Sequence, residues 1–221
     1  MPFNLGLVIV SAGKGRRLGA DKATIQLKKK PLFSCTYELF KNIKELKQIV
    51  IVLQSKHFRQ AKKIIKDKKV KFCQGGRERK NSVLNGILAL DDSINYVLIH
   101  DGARPFTPKN VILNVIKGLR KYPAVICGVR SKDTLKSVRN NFVTKTLDRN
   151  NIIMVQTPQG FRKDILIKAY KNLKSGKVFD DAGAVEAMKK KVKVVDGSYS
   201  NIKITYPEDI LLAGAIFRNR E

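Results

Sequence analysis

Four short apolar runs recur along the 221 residues: Leu7 to Val10, Gln48 to Leu53, Tyr96 to His100 and Ala124 to Val129. Each is apolar at nearly consecutive positions instead of alternating, which is the pattern of strands buried on both faces of a parallel sheet. The segments between them carry apolar residues at helical spacing. Pro31 to Ile43 opens on a proline suited to a first turn, His57 to Ile65 turns Phe58, Ala61, Ile64 and Ile65 inward, and Ser82 to Leu90 continues through Val83, Leu84, Ile87 and Leu88. A shorter run, Val70 to Cys73, ends at Gly75-Gly76, and Thr107-Pro108 reads as N-cap and first-turn proline of a further helix. Strand and helix alternating in this way predict an α/β fold with a mostly parallel sheet and helices on both faces.

The first strand breaks into Ser11-Ala12-Gly13-Lys14-Gly15, where small side chains let backbone N–H groups approach an anion, and Arg16, Arg17 and Lys22 follow. Two common glycine-loop patterns fail: a dinucleotide fingerprint needs glycine or alanine where Leu18 stands, and no Gly-Lys-Ser/Thr is present. The loop alone therefore fits either a polyphosphate cradle or a solvated basic connection. The Tyr96–His100 run ends in Asp101-Gly102-Ala103-Arg104-Pro105, placing a carboxylate where open α/β sheets bind ligands. Asp101 can serve a metal, a hydroxyl or phosphate-bound water there, or cap the turn before Pro105. Arg104 reads as a salt-bridging support, His100 as a hydrogen-bonded structural residue, and His57 has no visible partner.

From Ser131 to about Met154 the pattern alternates around turn residues Arg139-Asn140-Asn141, predicting a hairpin arm that projects from the sheet and packs on a second subunit. Gln156 to Phe161 leads into a helix through Ile165, Ile167 and Tyr170, and Asp180-Asp181 caps another. Val192–Val195 and Ile202–Thr205 read as short closing strands before a last helix from Pro207. No linker or repeat divides the chain, so residues 1–221 are expected to form one domain.

A formal charge of +27 points toward polyanions, but lysine is spread over Lys28–Lys30, Lys62-Lys63, Lys66–Lys71 and Lys189–Lys191 without forming one basic face. That distribution favours phosphorylated small molecules over nucleic acid or membrane. No apolar run reaches the roughly 18 residues of a membrane span, and a cytoplasmic location is expected. Cys35, Cys73 and Cys127 have neither disulfide nor zinc spacing and are expected to be reduced.

Several separated blocks, taken in order, resemble one family. SAGKGRRLG, HDGARP, DTLK, DRNNIIMVQTPQGF, FDDAGAVE and NIKITYPEDILLA are similar to the motifs of the 2-C-methyl-D-erythritol 4-phosphate cytidylyltransferases of the non-mevalonate isoprenoid pathway. The resemblance implies a Rossmann-like, three-layer nucleotidyltransferase fold and transfer of a cytidylyl group from CTP, with Mg2+ held mainly by substrate phosphates and Asp101 as its one candidate protein ligand. It also implies a homodimer joined by the arm.

Position by position, the resemblance implies CTP binding by Ser11, Ala12, Gly13, Gly15, Gly75, Gly76, Ser82, Asp101 and Gly102. Arg17, Lys22 and Lys203 match the cations that hold the triphosphate and stabilise the reacting phosphorus. Asp101, Thr134, Lys136 and Arg149 match positions that contact the sugar phosphate or order the site, Thr134 and Arg149 serving the neighbouring subunit's pocket. Departures are Asp21-Lys22 in place of Pro-Lys on a loop about two residues shorter, Ser11 for an alanine, and Gly102 for another. The competing readings are a ribitol-5-phosphate cytidylyltransferase, which Asp148-Arg149 and Asn201–Thr205 disfavour, and a non-catalytic nucleic-acid-binding protein, whose binding would fall steeply with salt.

Overall fold

The computed structural model describes residues 2–13, 15–19, 21, 25–27, 29–173 and 178–218, and of Arg16 the backbone only. In chain order the elements are β1 (Leu5–Val10), β2 (Gln26–Leu27), β3 (Lys30–Pro31), α1 (Leu32–Phe40), β4 (Leu46–Leu53), α2 (Phe58–Ile64), β5 (Val70–Gln74), α3 (Arg79–Leu88) and β6 (Tyr96–Asp101). They continue with α4 (Lys109–Leu119), β7 (Ala124–Arg130), β8 (Leu135–Arg139), β9 (Phe142–Leu147), β10 (Ile153–Arg162), α5 (Lys163–Asn172), α6 (Asp181–Glu186), β11 (Lys193–Asp196) and α7 (Pro207–Arg218).

Seven strands form one sheet in the order β11-β7-β10-β6-β1-β4-β5. β1 pairs in parallel with β4 and β6, β4 with β5 and β7 with β11, while β10 runs antiparallel between β6 and β7. Because side chains alternate across a strand, β1 serves two cores at once. Leu5, Leu7 and Ile9 pack with α1, α2 and α4 through Phe33, Phe40, Ala61, Ile112 and Val115. On the other face Val8 packs with α3, α5 and α6 through Val83, Ile87, Leu166, Ala182 and Val185. The predicted layers are therefore present, and the continuous apolar runs follow from burial on both faces. The chain leaves β1 toward β4 on one side and returns to β6 on the other, which opens a crevice at the carboxyl ends of β1 and β6.

Three expectations need correction. Gln156 to Phe161 does lead into a helix, α5, but the segment is itself part of β10, a central strand that the sequence does not reveal, and the hairpin arm is confined to β8 and β9. Ile153 and Met154 pair with Arg130 and Val129 of the main sheet. The polar residues that disguised the strand are buried with their polar groups engaged: Gln159 donates Nε2–H to Asp180 at 2.8 Å and accepts the Ala182 N–H at 3.1 Å. Pro158, lacking a donor, falls inside a register irregularity between Gln156 and Gln159. Ile202–Thr205 is not a strand; Ile204 instead donates its N–H to Ala103 O at 2.9 Å, tying the segment to the loop after β6. Thr107 does not cap α4, whose N-cap is Pro108.

In the arm, Asn140 and Asn141 take the left-handed backbone (φ 49° and 65°) that a tight hairpin turn demands. Phe142, Val138 and Val143 on it are exposed. No helix among the described residues is long and apolar enough to cross a membrane.

Candidate active site

The crevice beside β1 and β6 is a cleft of about 930 Å³. Its floor is the glycine loop: Ser11, Ala12, Gly13 and Gly15 line it, with Gly15 in the left-handed region at φ 58°. Gly75, Gly76 and Ser82 approach from the opposite wall. The two loops touch so closely that a Cβ on Gly75 would lie 2.2 Å from that of Ala12, so only glycine allows this wall to close on the floor. Ser82 fixes the turn, accepting the Gly76 N–H at 3.0 Å and donating to Glu78 O at 3.2 Å. Glu78 and Asn81 form a capping box that starts α3 at Arg79, which aims the positive helix end at the cleft.

Gly102 is not part of the lining. It lies beneath the loop, donating to Val10 O and accepting from Thr36 Oγ1, both at 2.9 Å. A Cβ there would sit 2.7 Å from that of Ser11, so its role is room for the loop. Among the described residues, the buried Ser11 hydroxyl has no hydrogen-bond partner.

Among the described residues, five cationic ones line the cleft, Arg17, Lys56, Arg77, Arg79 and Lys203, against two acidic ones, Glu78 and Asp101. Such a balance suits a polyanion. Asp101 is the hub. Lys203 Nζ stands 2.6 Å from its Oδ2, Arg79 Nη2 3.2 Å from its Oδ1, and Arg104 Nε 3.7 Å from its Oδ2. Burial works against its charge, but Arg79, Lys203 and Arg104 together hold its pKa well below the usual carboxylate range. Asp101 therefore remains ionised and orients cations. Arg104 is the expected support and also donates to Asn201 O at 2.7 Å.

The sequence reading missed Arg79. Its guanidinium forks onto Asp181, Nη1 at 2.9 Å and Nη2 at 2.8 Å, while reaching Asp101 with its remaining capacity. Asp181, read as a helix cap, is 0% exposed and also accepts from Tyr170 OH; Asp180 does the capping, through Gly183 N–H at 2.9 Å. The two carboxylates keep the Arg79 guanidinium charged despite its burial. The position of Arg79 three residues after Gly76 was the available signal, but its partner lies 102 residues away.

Arg17 lies over the Tyr206 ring at 5.4 Å from its centroid. Lys22 lies outside the described residues. Asp21, its neighbour, accepts from Lys56 at 3.1 Å and meets His57 Nε2 at 2.9 Å, so His57 is not partnerless as expected. Thr134, Lys136 and Arg149 are exposed and do not join the cleft of their own chain. Lys136 donates to Thr146 Oγ1 at 2.7 Å and Arg149 to Lys132 O at 2.7 Å.

His100 is structural, as expected. Its Nε2 faces Arg104 O at 3.2 Å and its Nδ1 faces Thr157 Oγ1 at 3.1 Å, a pairing that suits the neutral ring protonated on Nε2. Burial lowers its pKa from 6.5 to about 4. Since the unfolded chain takes up the proton first, the stabilising effect is full above pH 6.5 and is lost as pH falls toward 4. We expect His100→Asn to flatten the stability–pH curve in that window, followed by urea midpoints; an unchanged slope would remove His100 as its source.

Burial raises the thiol pKa of Cys73 to about 11 and of Cys127 to about 12, and raises that of Cys35 too, so none is a ready nucleophile. The cleft thus offers cations and backbone donors.

Comparison with known proteins agrees with this geometry. A family model described as 2-C-methyl-D-erythritol 4-phosphate cytidylyltransferase matches residues 5–219. A protein of that name from Bacillus anthracis is 40% identical over 215 residues, covering 94% of this chain and 95% of the relative. One from Dehalococcoides mccartyi is 39% identical over 220 residues, covering 97% and 96%. Among solved structures, the 4-diphosphocytidyl-2C-methyl-D-erythritol synthase of Anaerococcus prevotii superposes with a TM-score of 0.89 at 34% identity, covering 97% of this chain and 96% of that one. The Francisella tularensis cytidylyltransferase gives a TM-score of 0.82 at 31% identity, with coverage of 96% and 99%. With a family match across nearly its whole length, and with the glycine loop, the Gly75–Ser82 wall and Lys203 meeting in one cleft, the chain belongs to the 2-C-methyl-D-erythritol 4-phosphate cytidylyltransferase family.

Proposed function

We propose that this cleft transfers the cytidylyl group of CTP to 2-C-methyl-D-erythritol 4-phosphate, giving 4-diphosphocytidyl-2-C-methyl-D-erythritol and pyrophosphate, a step toward isoprenoid precursors. The observation that carries the reading is the convergence of the glycine loop, the Gly75–Ser82 wall, Arg17 and Lys203 on one cationic cleft at the carboxyl ends of β1 and β6. The Ser11 hydroxyl in its floor, which has no partner among the described residues, supports a polar ligand there, since a buried hydroxyl without a bond is costly.

A non-bridging oxygen of the sugar phosphate attacks the α-phosphorus of CTP in line; a new P–O bond forms as the bond to the β-phosphate bridging oxygen breaks, and pyrophosphate leaves with the electron pair. A phosphate monoester with a second pKa of about 6 is largely dianionic near neutrality, so the attack needs no strong general base. The barrier lies in bringing two polyanions together and in charge growing on the transferring and leaving groups, which positioned cations offset. Backbone N–H groups of Ala12, Gly13 and Gly15 would cradle base and phosphates, while Gly75 and Gly76, whose N–H groups are bonded to Leu53 O and Ser82 Oγ, would shape the wall. Arg17 and Lys203, with Lys22, would hold the triphosphate and the reacting phosphorus.

Magnesium does not fit as an ion held by side chains of this chain. Among the described residues no group of three or more potential ligands gathers, and Asp101 faces three cations that would repel it. A divalent ion would enter on the phosphate oxygens of CTP.

Thr134, Lys136 and Arg149 stand off their own cleft on or beside an arm with exposed apolar residues, which supports a homodimer in which the arm reaches the partner's sugar-phosphate site. We place this activity in the cytoplasm, in one domain spanning the chain.

The test is pyrophosphate release from CTP with a panel of sugar phosphates. Release with 2-C-methyl-D-erythritol 4-phosphate well above that with ribitol 5-phosphate is the expected result, and preference for ribitol 5-phosphate would redirect the assignment. Absence of release with every sugar phosphate, together with nucleic-acid binding that CTP does not compete, would overturn it.

A further inference from the structure

We infer that Asn201 is a positioning residue for cytidylyl transfer, acting through Lys203; the inference rests on the reading of Lys203 as a phosphate-binding cation. Lys203 sits on a segment, 201–205, that belongs to neither helix nor strand, so no ladder determines where its Cα lies. A lysine side chain is long and flexible, and an ammonium on a wandering backbone would be a poor device for stabilising one phosphorus centre. Something else must hold the segment.

A buried amide holds it. Asn201 is 0% exposed, and its side chain bridges β10 and the turn before α4. Oδ1 accepts from Thr107 Oγ1 at 2.8 Å, just before α4. Nδ2 donates to Gln156 Oε1 at 3.1 Å and to Thr157 O at 2.9 Å, both on β10. The Asn201 carbonyl accepts from Arg104 Nη1 at 2.7 Å.

The same partners also fix Asp101, the residue against which Lys203 rests. Thr157 Oγ1 accepts the Asp101 N–H at 3.0 Å, and Arg104 Nε stands 3.7 Å from Asp101 Oδ2. The Lys203 ammonium and its carboxylate thus share one scaffold, which the buried Asn201 joins from outside the cleft lining.

The amide chemistry is specific. The pocket offers one donor, Thr107 Oγ1, and two acceptors, Gln156 Oε1 and Thr157 O, which an asparagine satisfies at once. An aspartate of the same shape would keep one oxygen on Thr107 Oγ1 but turn the other, in place of Nδ2, toward the two acceptors. An alanine would leave a buried hydroxyl and a buried carbonyl each short of a bond, at a cost expected to move the segment. Displacement of Lys203 by about 1 Å suffices to cost about a hundredfold in rate when geometry controls the step.

A double-mutant cycle tests the inference, with kcat and the KM for CTP measured by pyrophosphate release, and folding checked by circular dichroism and thermal melting. Asn201→Ala should lower kcat by about tenfold or more, on the scale of lost buried hydrogen bonds. In a Lys203→Ala background the same change should cost less than about twofold, because the group it positions is already gone. Thr107→Val, which removes only the donor to Oδ1, should show a smaller loss with the same disappearance, and serves if Asn201→Ala does not fold. An equal loss in both backgrounds would overturn the inference and leave Asn201 a purely structural residue. A Lys203→Ala protein with normal kcat would instead refute the reading of Lys203 on which it rests.

Discussion

Replacing Lys203 by alanine is expected to lower turnover about a hundredfold or more while the protein stays folded, the scale of about 2.7–4 kcal/mol seen when one group that stabilises developing charge is removed. The Lys203 ammonium presents three donors, of which one is directed at Asp101 Oδ2, 2.6 Å away. The other two remain for phosphate oxygens, and the side chain is 36% exposed on the cleft side. Asp101 thus orients the ammonium without consuming it. Loss of the lysine leaves Asp101 compensated by Arg79 and Arg104, so the fold should tolerate the change. Steady-state kcat with CTP and the sugar phosphate, beside a thermal melt, checks both halves; near-normal turnover would exclude Lys203 from the transfer.

Arg79→Met carries the largest expected effect on stability, a loss of about 3–5 kcal/mol, because it strips a 0% exposed carboxylate, Asp181, of its bidentate partner. Tyr170 OH still donates to Asp181, but a phenol does not neutralise a buried anion. Urea unfolding midpoints of the variant and the wild type read the loss directly. Adding Asp181→Asn should recover part of the loss, since an unpaired charge, not a missing contact, is the cause. If Arg79→Met unfolds at the wild-type midpoint, the cluster is not holding the wall.

The four parallel strands around the cleft were legible because burial on both faces forces apolar residues at consecutive positions, as in Leu7 to Val10 and Gln48 to Leu53. The glycine loop was legible for a steric reason, as Gly75 against Ala12 illustrates. β10 was not, since Gln156, Thr157 and Gln159 are polar residues whose burial depends on partners elsewhere in the chain. A strand whose polar groups are satisfied by tertiary contacts carries neither alternation nor a continuous apolar run.

The same cause hid half of the site's electrostatics. Asp101 and Lys203 could be singled out by their motifs, yet the ion pairs joining Asp101 to Arg79, and Arg79 to Asp181, are products of the fold. Asp21 stands beside Lys22 in the sequence, yet in the structure its carboxylate meets Lys56 and His57 on the turn after β4. Ile202–Thr205 looked like a strand from its β-branched residues, but it is held by Asn201 and by the Ile204 N–H, which leaves Lys203 at the cleft edge and outside any ladder.

The central claim is that separated cations meet one triphosphate at the carboxyl ends of β1 and β6. The most direct measurement is a crystal structure of the protein with CTP and 2-C-methyl-D-erythritol 4-phosphate bound. The predicted result places the triphosphate over the Ser11–Gly15 loop, within hydrogen-bond reach of Lys203 and Arg17, with the sugar phosphate oxygen in line with the α-phosphorus. A triphosphate bound elsewhere, or lying in the cleft with Lys203 turned away from it, would contradict the claim.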